Sequence, residues 1–165
     1  MGTRRRSREL AMQALFCMDV VQNDSNELLN LYCNCFPPPQ KARPFFLTLV
    51  RGVTIAKDNI DRVIETFSNN WKISRMSGVD RNVLRVAVFE MLYCKDIPTK
   101  VSINEAIDVG KKFGTEESGA FINGILDTIR IAIEENKISA DPKIEAILVE
   151  NKTSCLLDAQ TAEID

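Results

Sequence analysis

Apolar residues recur at intervals of three and four along most of the chain, and strict alternation is missing. That spacing predicts amphipathic helices rather than strands. A first helix is expected from about Arg4 to Gln22, on Leu10, Ala14, Met18 and Val21, with Ala11 and Leu15 widening the stripe. A second follows Asn23-Asp24-Ser25 and carries Leu28, Leu29, Tyr32 and Phe36. Pro37-Pro38-Pro39 ends it, because proline removes a donor and blocks the helical conformation of its predecessor. A third begins near Pro44 with Phe45, Phe46, Leu49 and Val50, and Gly52 is where it is expected to bend or break. A fourth carries Ile60, Val63, Ile64 and Phe67 and ends near Trp71.

The fifth helix follows Ser77-Gly78. Val83, Leu84, Ala87, Val88, Met91 and Leu92 form a band wide enough for a buried central helix. The sixth has Ser102 and Glu105 at capping-box spacing, Gly114 where a left-handed C-cap is wanted, and Lys111 and Lys112 at its negative end. The seventh starts near Thr115 with Glu116 and Glu117 in its first turn and Phe121, Ile122, Ile125, Leu126, Ile129 and Ile133 on its core face. Gly124 within it asks for a closely packed neighbour. About seven helices with short connections read as an all-α, compact single-domain bundle over residues 1–136, with the fifth and seventh helices central. Residues 137–165 read as an acidic, partly disordered extension: a linker at Ser139–Pro142, a short helix from Ile144 to Glu150, and a mobile end.

Charge changes this picture. The net charge of −2 argues against a nucleic-acid binder, but it averages two opposite ends. Residues 1–8 hold Arg4, Arg5, Arg6 and Arg8 and no acid, whereas residues 134–165 hold eight acids and three lysines. Four cations in the first turns of a helix oppose its dipole, and a polyanion would relieve that cost. A solvated basic end is the alternative.

Much chemistry is excluded. Without histidine there is no Ser-His-Asp or Cys-His set and no imidazole metal ligand. The five cysteines include no CxxC pair, and Cys33 and Cys35 read as small buried hydrophobes rather than a redox couple. No phosphate-binding glycine loop is present, and adjacent carboxylates such as Glu116-Glu117 diverge on a helix. No enzyme, no metal and no cofactor are expected. Neither a secretory signal nor a membrane span is visible, so a reducing cytoplasm is expected, with no membrane partner.

What remains is the arginine cluster and a second patch around Lys111, Lys112, Phe113 and Phe121. Arginine forks hold phosphates, and outward phenylalanine rings can stack on bases. The residues alone therefore rank single-stranded RNA or DNA first. Taken singly, Phe113 and Phe121 read as core residues before they read as stacking platforms.

Three ordered blocks carry a family resemblance: Arg4 through Phe16, Asp80 through Leu92, and a stretch from Ile97-Pro98 through Asn104-Glu105-Ala106, Lys111, Phe113-Gly114, Ser118, Phe121 and Asn123-Gly124 to Leu126-Asp127. Together they resemble the NusB family of transcription antitermination factors. The resemblance implies binding to the boxA element of nascent ribosomal RNA as a single strand, together with NusE, a small-subunit ribosomal protein. It also implies loading onto the RNA polymerase elongation complex and read-through of terminators. Some members form homodimers that hide the RNA surface. By this resemblance Arg4, Arg5, Arg6, Arg8 and Gln13 belong to an RNA-binding segment. Lys111, Lys112, Phe113, Glu117, Ser118 and Phe121 belong to a second RNA-facing region. Phe16, Asp80 and Arg81 lie on the side facing NusE. NusB-like domains also occur fused to ribosomal RNA cytosine methyltransferases, but the 165 residues leave no room for that catalytic domain, so a stand-alone factor is expected. The tail beyond about Asn136 is longer and more acidic than the usual family end.

Overall fold

The computed structural model describes residues 2–161, with side chains described up to Thr153. Among these the chain forms seven α-helices and one short 3-10 turn, and no strand. They are α1 (Thr3–Val20), α2 (Asn26–Cys35), α3 (Arg43–Phe67), the 3-10 turn Ile73–Arg75, α4 (Gly78–Tyr93), α5 (Thr99–Phe113), α6 (Ser118–Glu134) and α7 (Pro142–Thr161). The all-α expectation holds, but the helices are divided differently. The expected third and fourth helices are one, because α3 runs unbroken through Gly52. The Phe89 ring of α4 lies where a Cβ of residue 52 would stand. The tail helix is longer than expected, running from Pro142 to Thr161. Its start is docked: Ile144 and Leu148 pack on the core, Lys95 pairs with Glu145 at 2.9 Å, and the Asp141 amide donates to the Tyr93 hydroxyl at 3.3 Å. The mobile end expected over the final fifteen or so residues instead continues α7 as far as Thr161, and its last part, 162–165, lies outside the described residues.

Helix α4 is the axis of the bundle. Every residue from Asn82 to Leu92 is buried, and α1, α3, α5 and α6 all pack around it. Ser77 starts it by accepting the Asp80 amide on its hydroxyl at 3.1 Å. Helix α6 buries Ile122, Leu126 and Ile129 but exposes its other face, so it is peripheral on one side. Nothing approaches Gly124, which corrects the expectation of a close neighbour there.

Helix α5 begins a turn earlier than its letters suggest, after Pro98. Ser102 and Glu105 therefore form no capping box. Ser102 is buried and donates its hydroxyl to Glu90 at 3.2 Å, and Glu105 turns to Arg5. Gly114 is extended (φ −96, ψ −152) rather than left-handed, and it lies against the Ser118 hydroxyl. Cys33 is buried as expected, but Cys35 is exposed. No helix among the described residues is long and apolar enough to cross a membrane.

Candidate nucleic-acid interface

Ion pairs fix how the elements of the basic edge run. Arg8 meets Glu90 and Asp19 meets Arg81, so α1 is antiparallel to α4. Arg5 meets Glu105 and Asp108, and Glu9 meets Lys112, so α1 is parallel to α5. The two helices place Arg4, Arg5, Arg6 and Lys112 along one shared edge. A cleft of about 480 Å³ opens at its beginning, lined by Arg4, Arg5, Pro98, Val101 and Glu105.

The four arginines of α1 do not behave alike. Arg8 is buried, and its guanidinium forks onto Glu90, with Nε donating at 2.9 and 3.1 Å and Nη2 at 2.7 Å. Its expected contact with RNA is corrected to an internal one, because residue 8 lies on the stripe of Ala11, Met12 and Leu15. Arg4 reaches Asp96 at 3.0 Å and stands over the Phe45 ring. Arg5 donates to both oxygens of Glu105 at 2.9 Å and to Asp108 at 2.7 Å. Arg6 donates to Glu9 at 3.3 Å. The end is thus neither bare nor frayed, because carboxylates from α5 and the α4–α5 turn already neutralise it.

The second patch is only partly assembled. Lys112 donates to both oxygens of the buried Glu9, at 3.0 and 3.1 Å, and stands over the Phe113 ring. Lys111 is exposed and lays its stem across Gly119. Gln13 is half-buried on the same helix as the arginines, and Glu117 is exposed. Ser118 is buried, and its hydroxyl accepts the Thr115 amide at 2.9 Å, so it shapes the α5–α6 turn instead of facing a ligand. Phe113 and Phe121 are half-buried against the core. Phe121 meets Trp71 edge-on, with ring centroids 5.9 Å apart. Trp71 was not singled out from the sequence as anything but a helix end. Its signal is a large aromatic residue set among Asn, Asn, Lys, Ser and Arg.

On the other expected surface, Phe16 is partly exposed and rests on Gly78. Asp80 is half-buried, and its Oδ1 finds no hydrogen-bond partner among the described residues. Arg81 is half-buried and donates to Asp19 at 2.7 Å and to the carbonyls of Ile73 and Met76, which fixes it at the start of α4. Burial pushes the Asp19 carboxyl up, but Arg85, Arg81 and Asn82 outweigh it and hold the group below its ordinary 3.8. The hydrogen bond from Arg5 likewise holds Glu105 low, against burial. A depressed carboxylate stabilises the fold above its unfolded pKa and loses that contribution as pH falls through its folded value. Asp19→Asn is therefore expected to destabilise the protein at pH 6, and the deficit should shrink below about pH 4. Urea denaturation across that range checks this, and a deficit that stays constant refutes it.

A small all-helical bundle with a basic edge, already paired, and aromatic rings at one end is the class that fold and site define. It contains no assembled catalytic set among the described residues. The NusB family model matches residues 5–130, and the chain belongs to the NusB family. It is 57% identical over 131 residues to the transcription antitermination protein NusB of Desulfatibacillum aliphaticivorans, covering 79% of this chain and 92% of that one. The Myxococcus xanthus NusB is 45% identical over 139 residues, covering 82% of this chain and 99% of its own. Among solved structures, T. maritima NusB is similar with a TM-score of 0.67 at 37% identity, over 86% of this chain and 95% of that one. A structure of antitermination factors NusB and NusE in complex with dsRNA is similar with a TM-score of 0.70 at 27% identity, over 80% and 98%.

Proposed function

We propose that this chain is a non-enzymatic transcription antitermination factor that binds boxA-type RNA together with NusE and supports read-through by the RNA polymerase elongation complex in the cytoplasm. The observation that carries the reading is the convergence of Arg4, Arg5, Arg6 and Lys112 from two helices onto one edge, in a chain of this family. Arg4, Arg5, Arg6, Lys111 and Lys112 contact phosphates. Gln13, Phe113, Glu117 and Phe121 face the bases. Arg8 and Ser118 hold these groups in place from inside. NusE takes the side of Phe16 and Asp80, where the exposed Phe16 ring rests on Gly78 at the start of α4.

The test is a titration of single-stranded boxA-type RNA and a scrambled control, with and without NusE, across a salt series. Changing Arg4, Arg5 and Arg6 together to Ala removes three phosphate contacts. It should flatten the log–log salt slope by up to about 2 and weaken binding by roughly an order of magnitude or more at low salt. The melting temperature should stay close to that of the parent, because all three side chains lie outside the core. Arg8 is left in place for the converse reason. Unchanged affinity and slope would sink the RNA assignment.

A further inference from the structure

We propose that Trp71 and Phe121 form a two-ring stacking platform for a base of single-stranded RNA, with Lys72 and Arg75 as its phosphate contacts. This extends the RNA track from α1 and α5 to the connection between α3 and α4, and it rests on the RNA reading above.

Four observations converge here. Trp71 is 53% exposed, unusual for a side chain of that size. It is also held in place rather than loose. Asn69 and Asn70 take left-handed φ values of 53 and 61, turning the chain out of α3. The Trp71 amide donates to the Ser68 carbonyl at 3.1 Å, and the Ser68 hydroxyl donates back to the Trp71 carbonyl at 3.2 Å. Just beyond, the Ile73 amide donates to Glu65 at 2.9 Å, pinning the 3-10 turn to α3. The backbone that carries the indole therefore has little conformational freedom left to lose on binding.

The ring is also continuous with the candidate interface, since it meets Phe121 at 5.9 Å and 65°. In that edge-on arrangement one ring's edge meets the other's face, and the outer surface stays free for a base. Phe121 lies in the first turn of α6, directly after the turn that ends α5 and its lysines. The same end of the bundle holds the start of α4, where Phe16 covers Gly78.

The surroundings favour RNA over a protein surface. A docking patch for a protein is apolar around its aromatic anchor. Here the flanking residues are Asn69, Asn70, Lys72, Ser74 and Arg75, and the one apolar residue among them, Ile73, packs against the core. Lys72 approaches only Glu65, at 3.9 Å, and the Arg75 side chain makes no ion pair among the described residues. An aromatic ring with two available cations beside it is the composition that binds single-stranded nucleic acid without strict sequence preference.

Trp71 is the only tryptophan, so its fluorescence reports on the site directly. The full chain is titrated with single-stranded boxA-type RNA, following indole emission and the anisotropy of labelled RNA. Quenching should track binding. Trp71→Ala should weaken RNA binding about five- to a hundred-fold while helical circular dichroism is retained, and Trp71→Phe should recover most of the loss. Lys72→Ala and Arg75→Ala should each flatten the salt slope by about 0.7. RNA binding with no quenching and no effect of Trp71→Ala overturns the platform and leaves the RNA reading standing. Loss of NusE binding in Trp71→Ala with RNA affinity intact also overturns it and makes Trp71 a protein contact. If the parent chain binds no RNA, both readings fall together.

Discussion

Glu90→Ala is expected to destabilise the protein by about 3–5 kcal/mol, since it breaks a buried ion pair by removing one partner. Glu90 is 1% exposed and Arg8 5%, so neither charge has water to fall back on. The carboxylate accepts three close contacts from the Arg8 guanidinium and a fourth from the Ser102 hydroxyl, tying α1, α4 and α5 together. Without it the guanidinium keeps one more distant carboxylate, Glu105 at 3.7 Å, and the face of the Phe45 ring. In a protein of this size the loss corresponds to a fall in melting temperature of roughly 6–20 °C. Replacing both partners with apolar residues, Arg8→Met with Glu90→Leu, should cost far less, because no charge is left buried. Thermal melts of the single and double variants decide the matter, and a Glu90→Ala protein that melts with the parent refutes it. The result also governs how arginine variants are read. An Arg8 substitution that weakens RNA binding reports damage to the bundle unless its melting is unchanged.

Gly52→Ala should destabilise the protein by about 1–3 kcal/mol, although alanine is the better helix former by about 1 kcal/mol. The added Cβ would overlap the ring of Phe89, which is 2% exposed and would have to leave its packed position. Overpacking against a rigid ring outweighs propensity here. In a Phe89→Leu background the same glycine change should become nearly neutral, and the two substitutions should be strongly non-additive. Chemical denaturation of the four proteins in that cycle measures the coupling, and simple additivity would show that the contact is not what requires glycine.

Both sites illustrate what the sequence could disclose. The apolar stripes of α1, α3, α4 and α6 were legible because burial imposes a period of 3.6 on the letters. The Arg8–Glu90 pair is missed from the sequence, where Arg8 counts with the basic cluster, although a signal for it exists. Arg8 falls on the stripe of Ala11, Met12 and Leu15, and Glu90 on that of Val83, Val86 and Ala87. A charge set in each of two apolar stripes points to an internal partner. Gly52 was misread because a helix breaker and a close-packing point are the same letter, and only the partner ring separates them. Ser102 and Glu105 matched a local capping pattern, yet long-range partners, Glu90 and Arg5, took both side chains. Local spacing carries no record of such competition. At the candidate interface, the basic residues were visible but the carboxylates facing them were not, because Asp96, Glu105 and Asp108 reach the arginines only after α5 has packed beside α1.

Those carboxylates change what salt can do to binding. RNA carries a sheath of condensed cations, and a protein that neutralises phosphates releases them to the bulk, which is why dilution of salt favours the complex. Under the proposed contacts, each phosphate that takes Arg4 or Arg5 turns out a tethered anion, Asp96, Glu105 or Asp108. A carboxylate left alone in this way gathers cations of its own. Part of what the RNA gives up is recaptured by the protein, and the net ion release per arginine falls below the value for an unpaired side chain. The paired edge thereby makes RNA affinity less sensitive to ionic strength than its number of arginines implies.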